Sequence, residues 1–140
     1  YDYAFEEEKY RGAPDIRLHE IDVARPLEIA GERIVPVSGH HSERFEVTGY
    51  RIGRMAYLTD FKTIADAEVG KLIGVELLVV NALRFRPHFN VGEALALIAR
   101  VAPRRALITH VSHEIGRHAA TTALLPRGVE LAYDGLEIII

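Results

Sequence analysis

The sequence predicts one α/β domain, of the α+β kind, in which helices pack on a mixed sheet. Its 140 residues suffice for one buried core and are too few for two comfortable domains. Strand patterns predominate between residues 15 and 59, and strand and helix patterns alternate after residue 59. Apolar residues at 49% and charged residues at 26% are typical of a globular protein. We therefore expect residues 1–140 to form a single domain.

The composition also narrows the possible partners and cofactors. A net charge of −3 gives no electrostatic reason to expect nucleic acid as the main partner. No apolar run has the length needed to cross a bilayer, so no membrane partner is expected. The sequence has no Cys, which excludes disulfides and leaves His and carboxylate side chains as metal ligands. A reducing cytoplasm is the expected location.

Short apolar segments separated by glycine and proline predict the strands of the first half. Residues 1–14 resemble a short helix or turn, and residues 15–22 alternate loosely in the manner of a strand. Two hairpins follow from the pattern, and they join 27–30 with 33–37 and 45–53 with 54–59.

The second half shows the alternation of strands and helices. We predict helices at 64–73, 90–102 and 112–125, with strands at 76–81 and 105–110. Asn90 and Glu93 have the spacing of a capping box at the start of the second of these helices. Residues 129–133 and 136–140 are expected to form a terminal hairpin, because Asp134-Gly135 between them is a strong turn signal.

Acidic and imidazole side chains close several of the apolar strand segments. Asp60 follows the run 55–59, His110 follows 106–109, and the segment 34–37 leads through two residues to His40 and His41. Strands that end in this way can bring such side chains together, and imidazole with carboxylate binds Zn²⁺, Mn²⁺ or Fe²⁺. The pattern predicts a metal-dependent hydrolase. Asp60 can alternatively cap the next helix, and spacing does not choose between His40 and His41.

His88 has a different setting from these residues. It follows Pro87 and precedes the predicted helix start at Asn90, so that a loop of fixed position carries it. A histidine held in this way can donate or accept a proton without being a metal ligand. The alternative is an exposed loop histidine.

Several short motifs follow one another along the chain: PVSGHHS at 36–42, GYRIG at 49–53, AYLTD at 56–60, NALR at 81–84, HFNVGEA at 88–94, LITHVSH at 107–113 and YDGL at 133–136. This ordered series resembles the carboxy-terminal half of a metallo-β-lactamase-fold hydrolase, most closely the phosphoribosyl cyclic phosphodiesterase group. The resemblance implies an αββα sandwich with a two-metal site at the sheet edges. This chain would form mainly its carboxy-terminal half, with a mixed sheet and flanking helices.

The resemblance also implies roles for particular residues. His41, which lies five residues after Pro36, resembles the histidine that completes the first metal site. Asp60 resembles the carboxylate that bridges two divalent ions, Zn or Mn, and His110 resembles the last ligand of the second ion. His88 resembles a catalytic histidine that assists leaving-group departure. The implied reaction is in-line attack of a metal-activated hydroxide on a small cyclic or activated phosphodiester.

The chain departs from the family pattern in its ligand set. The motif His-x-His-x-Asp-His is absent and is expected before Tyr1, so the domain formed by residues 1–140 is expected to be incomplete. A transfer-RNA 3′-processing nuclease of the same fold is the alternative enzyme. Against this alternative, NALR at 81–84 stands where those nucleases have an acidic motif of the Glu-Ala-Thr type. A non-enzymatic alternative is an inactive half-domain that associates through apolar strand faces, for example as a homodimer.

Overall fold

A computed structural model describes residues 4–6, 8, 10–14, 16–82 and 90–140. Its strands are β1 (Leu27–Ile29), β2 (Glu32–Ser42), β3 (Phe45–Ile52), β4 (Met55–Leu58), β5 (Leu77–Asn81), β6 (Arg105–Thr109) and β7 (Val129–Leu131). Its helices are α1 (Asp66–Gly70), α2 (Val91–Val101) and α3 (His118–Thr122), and a 3₁₀ turn spans His113–Ile115. None of the helices in the described ranges is both long enough and apolar enough to cross a membrane.

The described strands form one mixed sheet whose order follows the chain from β1 to β7. Neighbours from β1 to β4 are antiparallel, whereas neighbours from β4 to β7 are parallel. Strand β2 therefore points in the same direction as β4, β5, β6 and β7. The carboxyl ends of these five strands share one edge of the sheet, which we call the C-terminal edge. The mixed sheet with flanking helices that the sequence predicts is confirmed.

The core lies between one face of this sheet and the helices. Helix α2 contributes Ala94, Leu97, Ile98 and Val101, whose three- and four-residue spacing places them on one helix face. The strands contribute alternate residues, because successive side chains of a strand point to opposite faces. These residues are Ala56, Leu58, Leu78, Val80, Ala106, Ile108, Val129 and Leu131. Burial of each large aliphatic side chain contributes about 1.5–3 kcal/mol to folding.

The capping box predicted at the start of α2 is present. The Asn90 side chain accepts a hydrogen bond from the Glu93 backbone N–H at 2.9 Å, and Glu93 Oε2 accepts one from the Asn90 N–H at 2.9 Å. The helix ends at Ala102, which has a left-handed φ of 51°, immediately before Pro103. Both ends of α2 thus follow from local sequence signals.

Phe61 crosses the sheet at the glycines of two strands. Its side chain is fully buried and lies over Gly39 of β2 and Gly49 of β3. A Cβ atom at Gly39 would lie 2.3 Å from the Phe61 ring, a separation that real Cβ atoms essentially never show. The two glycines therefore make room for the chain that leaves β4.

Several predicted elements differ from the structure. Residues 16–22 form no strand, and Leu18 in this segment is 80% exposed, so its apolar side chain has no packed face to support a ladder. The predicted helix 64–73 is reduced to α1 and a following turn. The predicted helix 112–125 is divided at Gly116, whose φ of 96° is incompatible with a helix. In the described part of residues 1–14, turns occur at 4–5 and 11–12.

The predicted terminal hairpin is wrong. β7 pairs with β6 in parallel, and residues 136–140 form no strand. The turn itself is present, because Gly135 has a φ of 85° and the Leu136 N–H donates to the Tyr133 carbonyl at 3.1 Å. A strand of only three residues offers few backbone groups with which a returning segment can pair. Residues 138–140 line a cavity with Leu77 and Arg105 instead.

Candidate metal centre

Asp60 and His110 meet at the C-terminal edge of the sheet. Asp60 follows the end of β4 and His110 follows β6, and these two strands flank β5 in parallel. His110 Nε2 lies 3.4 Å from Asp60 Oδ1. The side chains of Asp60 and His110 are 40% and 42% exposed, so the pair is open to solvent. A carboxylate and an imidazole thus share one accessible position.

Both residues adopt an unusual backbone conformation. The φ of Asp60 is 63° and that of His110 is 55°, which places them in the left-handed region. This conformation costs a non-glycine residue roughly 1–2 kcal/mol and cannot continue a strand. Each residue therefore lies beyond the end of its strand, and strain of this kind often occurs at functional sites.

Hydrogen bonds hold the segment around Asp60. Thr59 Oγ1 lies 3.2 Å from Asp60 Oδ2. Asn81, at the end of β5, accepts a hydrogen bond from the Phe61 N–H at 3.0 Å and donates one to the Phe61 carbonyl at 3.0 Å. Sequence reasoning gave Asn81 no role. The available signal was a polar residue at the end of the apolar run 77–80.

The residues after Phe61 connect this segment to its neighbours. Lys62 Nζ lies 2.5 Å and 2.7 Å from the two carboxylate oxygens of Glu93, within the capping box of α2. The backbone N–H groups of Lys62 and Thr63 both donate to the carbonyl of His40, at 2.7 Å and 3.0 Å. Residues 61–63 are therefore bonded to β2, β5 and the start of α2.

His41 lies in an irregular part of β2 at the same edge of the sheet. His40 pairs with Glu46 of β3, whereas Ser42 pairs with Phe45, so His41 is the extra residue of a β-bulge. Bulges change the direction of a side chain and are common beside active sites. His41 is half-buried and His40 is exposed. This difference in exposure does not by itself identify which of the two histidines would bind a metal. The bulge, however, places His41 outside the regular pairing of β2 with β3.

The predicted site residues are thus only partly brought together. Asp60 and His110 are in contact, and topology places His41 at the same edge. Within the described ranges, no group of three His, Asp or Glu side chains has a spacing that would hold a metal ion. His88 lies outside the described residues.

The chemistry of the Asp60–His110 pair fits a divalent metal. Oxygen and imidazole nitrogen are donors that Zn²⁺ and Mn²⁺ accept, and the partial exposure of both side chains leaves access for an ion. Two donors do not complete a coordination sphere. Further ligands must therefore accompany this pair wherever it binds a metal tightly.

Comparison with known proteins places this geometry in a family. A family model described as a Beta-lactamase superfamily domain matches residues 1–111. A solved structure described as a new diphosphatase from the PhnP family is 34% identical, with a TM-score of 0.84 over 91% of this chain and 50% of that chain. The metallo-β-lactamase fold protein YhfI from Bacillus subtilis is 17% identical, with a TM-score of 0.65 over 83% of this chain and 52% of that chain.

A curated relative carries a different name. An octanoyltransferase of Porphyromonas gingivalis (strain ATCC BAA-308 / W83) is 34% identical over 142 residues, which are 99% of this chain and 29% of that protein. The chain thus spans half of the similar diphosphatase and less than a third of this relative. The match over residues 1–111 and the mixed sheet with its flanking helices show that the chain belongs to the β-lactamase superfamily and has part of the metallo-β-lactamase fold.

Proposed function

We propose that this protein is a metal-dependent phosphodiesterase that hydrolyses small cyclic or activated phosphodiesters. The contact between Asp60 and His110 at the C-terminal edge is the observation that carries the proposal. The similarity to a diphosphatase of the PhnP family, at 34% identity, supports phosphate-ester chemistry over other hydrolyses. Further ligands would be needed to complete the coordination of each ion.

In this proposal, Asp60, His110 and His41 hold two divalent ions, Zn or Mn. Such ions act as Lewis acids toward a phosphoryl oxygen and lower the pKa of a bound water. A carboxylate has two acceptor oxygens, so Asp60 would have the capacity to contact both ions. His110 fixes one side of the site, and His41 contributes from the bulge of β2.

His88 completes the proposal as a proton donor. Its segment joins β5 to α2, and the capping box of Asn90 and Glu93 fixes the point at which the helix starts. A histidine just before that point would protonate the leaving alkoxide and would not bind metal. The location of the protein remains the cytoplasm in this proposal.

The name of the P. gingivalis relative favours no second function here. That name describes a protein of which the matched region is 29%. The C-terminal edge of this chain presents a carboxylate and an imidazole, which are suited to a metal ion. An octanoyl transfer activity is therefore not carried over to this chain.

A nuclease acting on transfer-RNA precursors would share the same metal chemistry. The net charge of −3 does not provide the counter-charge that a polyanionic RNA requires. We therefore propose a small-molecule substrate, and we expect a tRNA precursor to be a poor one.

The proposal is tested by assaying the protein in its natural length. Hydrolysis of an activated aryl phosphodiester and of a small cyclic phosphodiester is compared with cleavage of a tRNA precursor. His110→Ala should abolish metal-dependent turnover, whereas His19→Ala, at an exposed position outside the strands and helices, should retain it. Turnover that persists in His110→Ala contradicts the ligand assignment. A preference for the tRNA precursor contradicts the substrate class.

The same assay tests His88. His88→Ala should retain the metal content of the wild type and lose turnover mainly with poor leaving groups, because protonation matters most for a basic alkoxide. Loss of metal from His88→Ala would identify this residue as a ligand instead.

A further inference from the structure

Asn81 occupies a position that an apolar residue normally fills. It closes β5, between the strands that lead to Asp60 and His110, and its exposed fraction is 0%. Within the described ranges it is the one buried residue with a polar or charged side chain. Burial of an amide is unfavourable unless each polar atom has a partner, so its hydrogen bonds indicate its purpose.

Within the described residues, the Asn81 side chain makes two hydrogen bonds, both to the backbone of Phe61. Oδ1 accepts from the Phe61 N–H, and Nδ2 donates to the Phe61 carbonyl, each at 3.0 Å. A carboxamide provides a donor and an acceptor side by side, whereas an aspartate provides only acceptors. The side chain thus replaces the backbone partner that Phe61 would have had if β4 had continued.

This pair of hydrogen bonds restricts the backbone of Asp60. The Phe61 N–H and the Asp60 carbonyl belong to the same planar peptide unit, so orienting one orients the other. Fixing that plane restricts the ψ angle of Asp60, whose φ is already in the left-handed region at 63°. The direction of the Asp60 side chain toward His110 depends on these two angles.

Other contacts hold the chain farther from Asp60. The Phe61 ring lies on Gly39 and Gly49, and the N–H groups of Lys62 and Thr63 donate to the His40 carbonyl. These contacts would keep residues 61–63 attached to the sheet after loss of the Asn81 side chain. The Asn81 side chain, by contrast, bonds the peptide unit that directly follows Asp60.

We infer that Asn81 is a positioning residue, which keeps the Asp60 carboxylate beside His110 by fixing the peptide plane between Asp60 and Phe61. The part of this inference that concerns metal rests on the proposed function, because it takes Asp60 as a ligand. The part that concerns the Phe61 backbone does not. Residues that orient a metal ligand typically change metal affinity by about 10- to 100-fold when they are replaced.

The test uses Asn81→Leu, which loses both hydrogen bonds at similar volume, and Asn81→Asp, which loses the donor. Leu78→Val on the same strand is the control, because it loosens the buried core and keeps the Asn81 side chain that bonds the Phe61 backbone. Zn²⁺ and Mn²⁺ affinity is measured by titration of the natural-length protein. Amide hydrogen exchange is followed at Phe61 and Thr63, and unfolding in urea is recorded for all variants.

Both Asn81 variants should bind metal about 10- to 100-fold more weakly than the wild type. The Phe61 amide should exchange faster in Asn81→Leu, whereas the Thr63 amide, bonded to His40, should keep its protection. Leu78→Val should bind metal within about twofold of the wild type, since the Asn81 side chain and its hydrogen bonds to Phe61 are retained. Fast exchange at Thr63 as well would indicate general loosening and would overturn the positioning role.

Failure of this inference is distinguishable from failure of the proposed function. Asp60→Ala is measured in the same titration. If Asp60→Ala loses metal while both Asn81 variants retain the wild-type affinity, the inference alone is overturned. If Asp60→Ala retains metal, the proposed function is overturned, and the metal part of the inference fails with it.

Discussion

Asp60 and His110 combine a strained backbone with a shared position. Each lies directly after a parallel strand and has a positive φ, and their side chains are 3.4 Å apart. The sequence predicted where they lie along the chain, because each follows an apolar run. It also predicted that such strand ends can bring the two side chains together, but it did not predict the register in which β4 and β6 flank β5. Nor did it predict the left-handed conformation, because aspartate and histidine adopt it only where the surrounding fold imposes it.

Asp60→Gly tests whether the site is strained. Glycine adopts a φ of 63° without the cost that a side chain adds, so the free energy of unfolding in the presence of a chelator should rise by up to about 1 kcal/mol. Metal binding should be lost in the same variant. Chemical unfolding with and without Zn²⁺ measures both effects. A lower free energy of unfolding in chelator would show that Asp60 stabilises the fold rather than straining it.

Asn81 shows why part of the site could not be read from the sequence. Its partners are the backbone atoms of Phe61, and no residue type or spacing reports a bond to a main chain 20 positions away. His41 is similar in this respect. The strand predicted at 33–37 ended before His41, whereas β2 continues to Ser42, and the bulge at His41 depends on the pairing of β2 with β3. The sequence pattern thus indicated where the candidate site residues lie along the chain, whereas their arrangement depends on how the strands pair.

At the scale of elements, the predictions were correct for segments whose own capping or turn residues determine where they start and end. The capping box of α2 and the hairpins of β1 to β4 formed as expected. The strand predicted for 15–22 and the terminal hairpin were wrong, because each depended on a partner that the fold does not supply there. Apolar alternation predicts a strand only when a ladder is available.

The crossing of Phe61 over β2 is the clearest test of packing between elements. Gly39→Ala should lower the free energy of unfolding by about 1–3 kcal/mol, because the new Cβ would lie 2.3 Å from the Phe61 ring and 2.8 Å from the Thr63 carbonyl. Urea unfolding measures the change.

Gly70→Ala is the matched control for this substitution. Gly70 ends α1, and nothing lies within 4 Å of a Cβ atom placed there. The control should be neutral or stabilising by up to about 1 kcal/mol, since alanine favours a helix over glycine. Equal destabilisation by both substitutions would contradict the close packing of Phe61 on Gly39.

At the scale of the whole molecule, the sheet topology explains why one edge collects the functional residues. Five strands point the same way, so the segments that follow β2, β4, β5 and β6 meet at the C-terminal edge. The match to the β-lactamase superfamily domain over residues 1–111 agrees with this arrangement. The sequence predicted the fold class and the mixed sheet from the order of strands and helices. The described residues contain one sheet of the predicted sandwich, and the similar diphosphatase is about twice as long as the matched region.

The central claim is that Asp60 and His110 bind the same metal centre, and anomalous diffraction tests it most directly. Crystals of the natural-length protein are grown with Mn²⁺, and data are collected at a wavelength where Mn scatters anomalously. We predict a peak about 2.0–2.2 Å from a carboxylate oxygen of Asp60, with His110 coordinating in the same centre. A map whose peaks all lie beyond coordination distance of both side chains would contradict the claim.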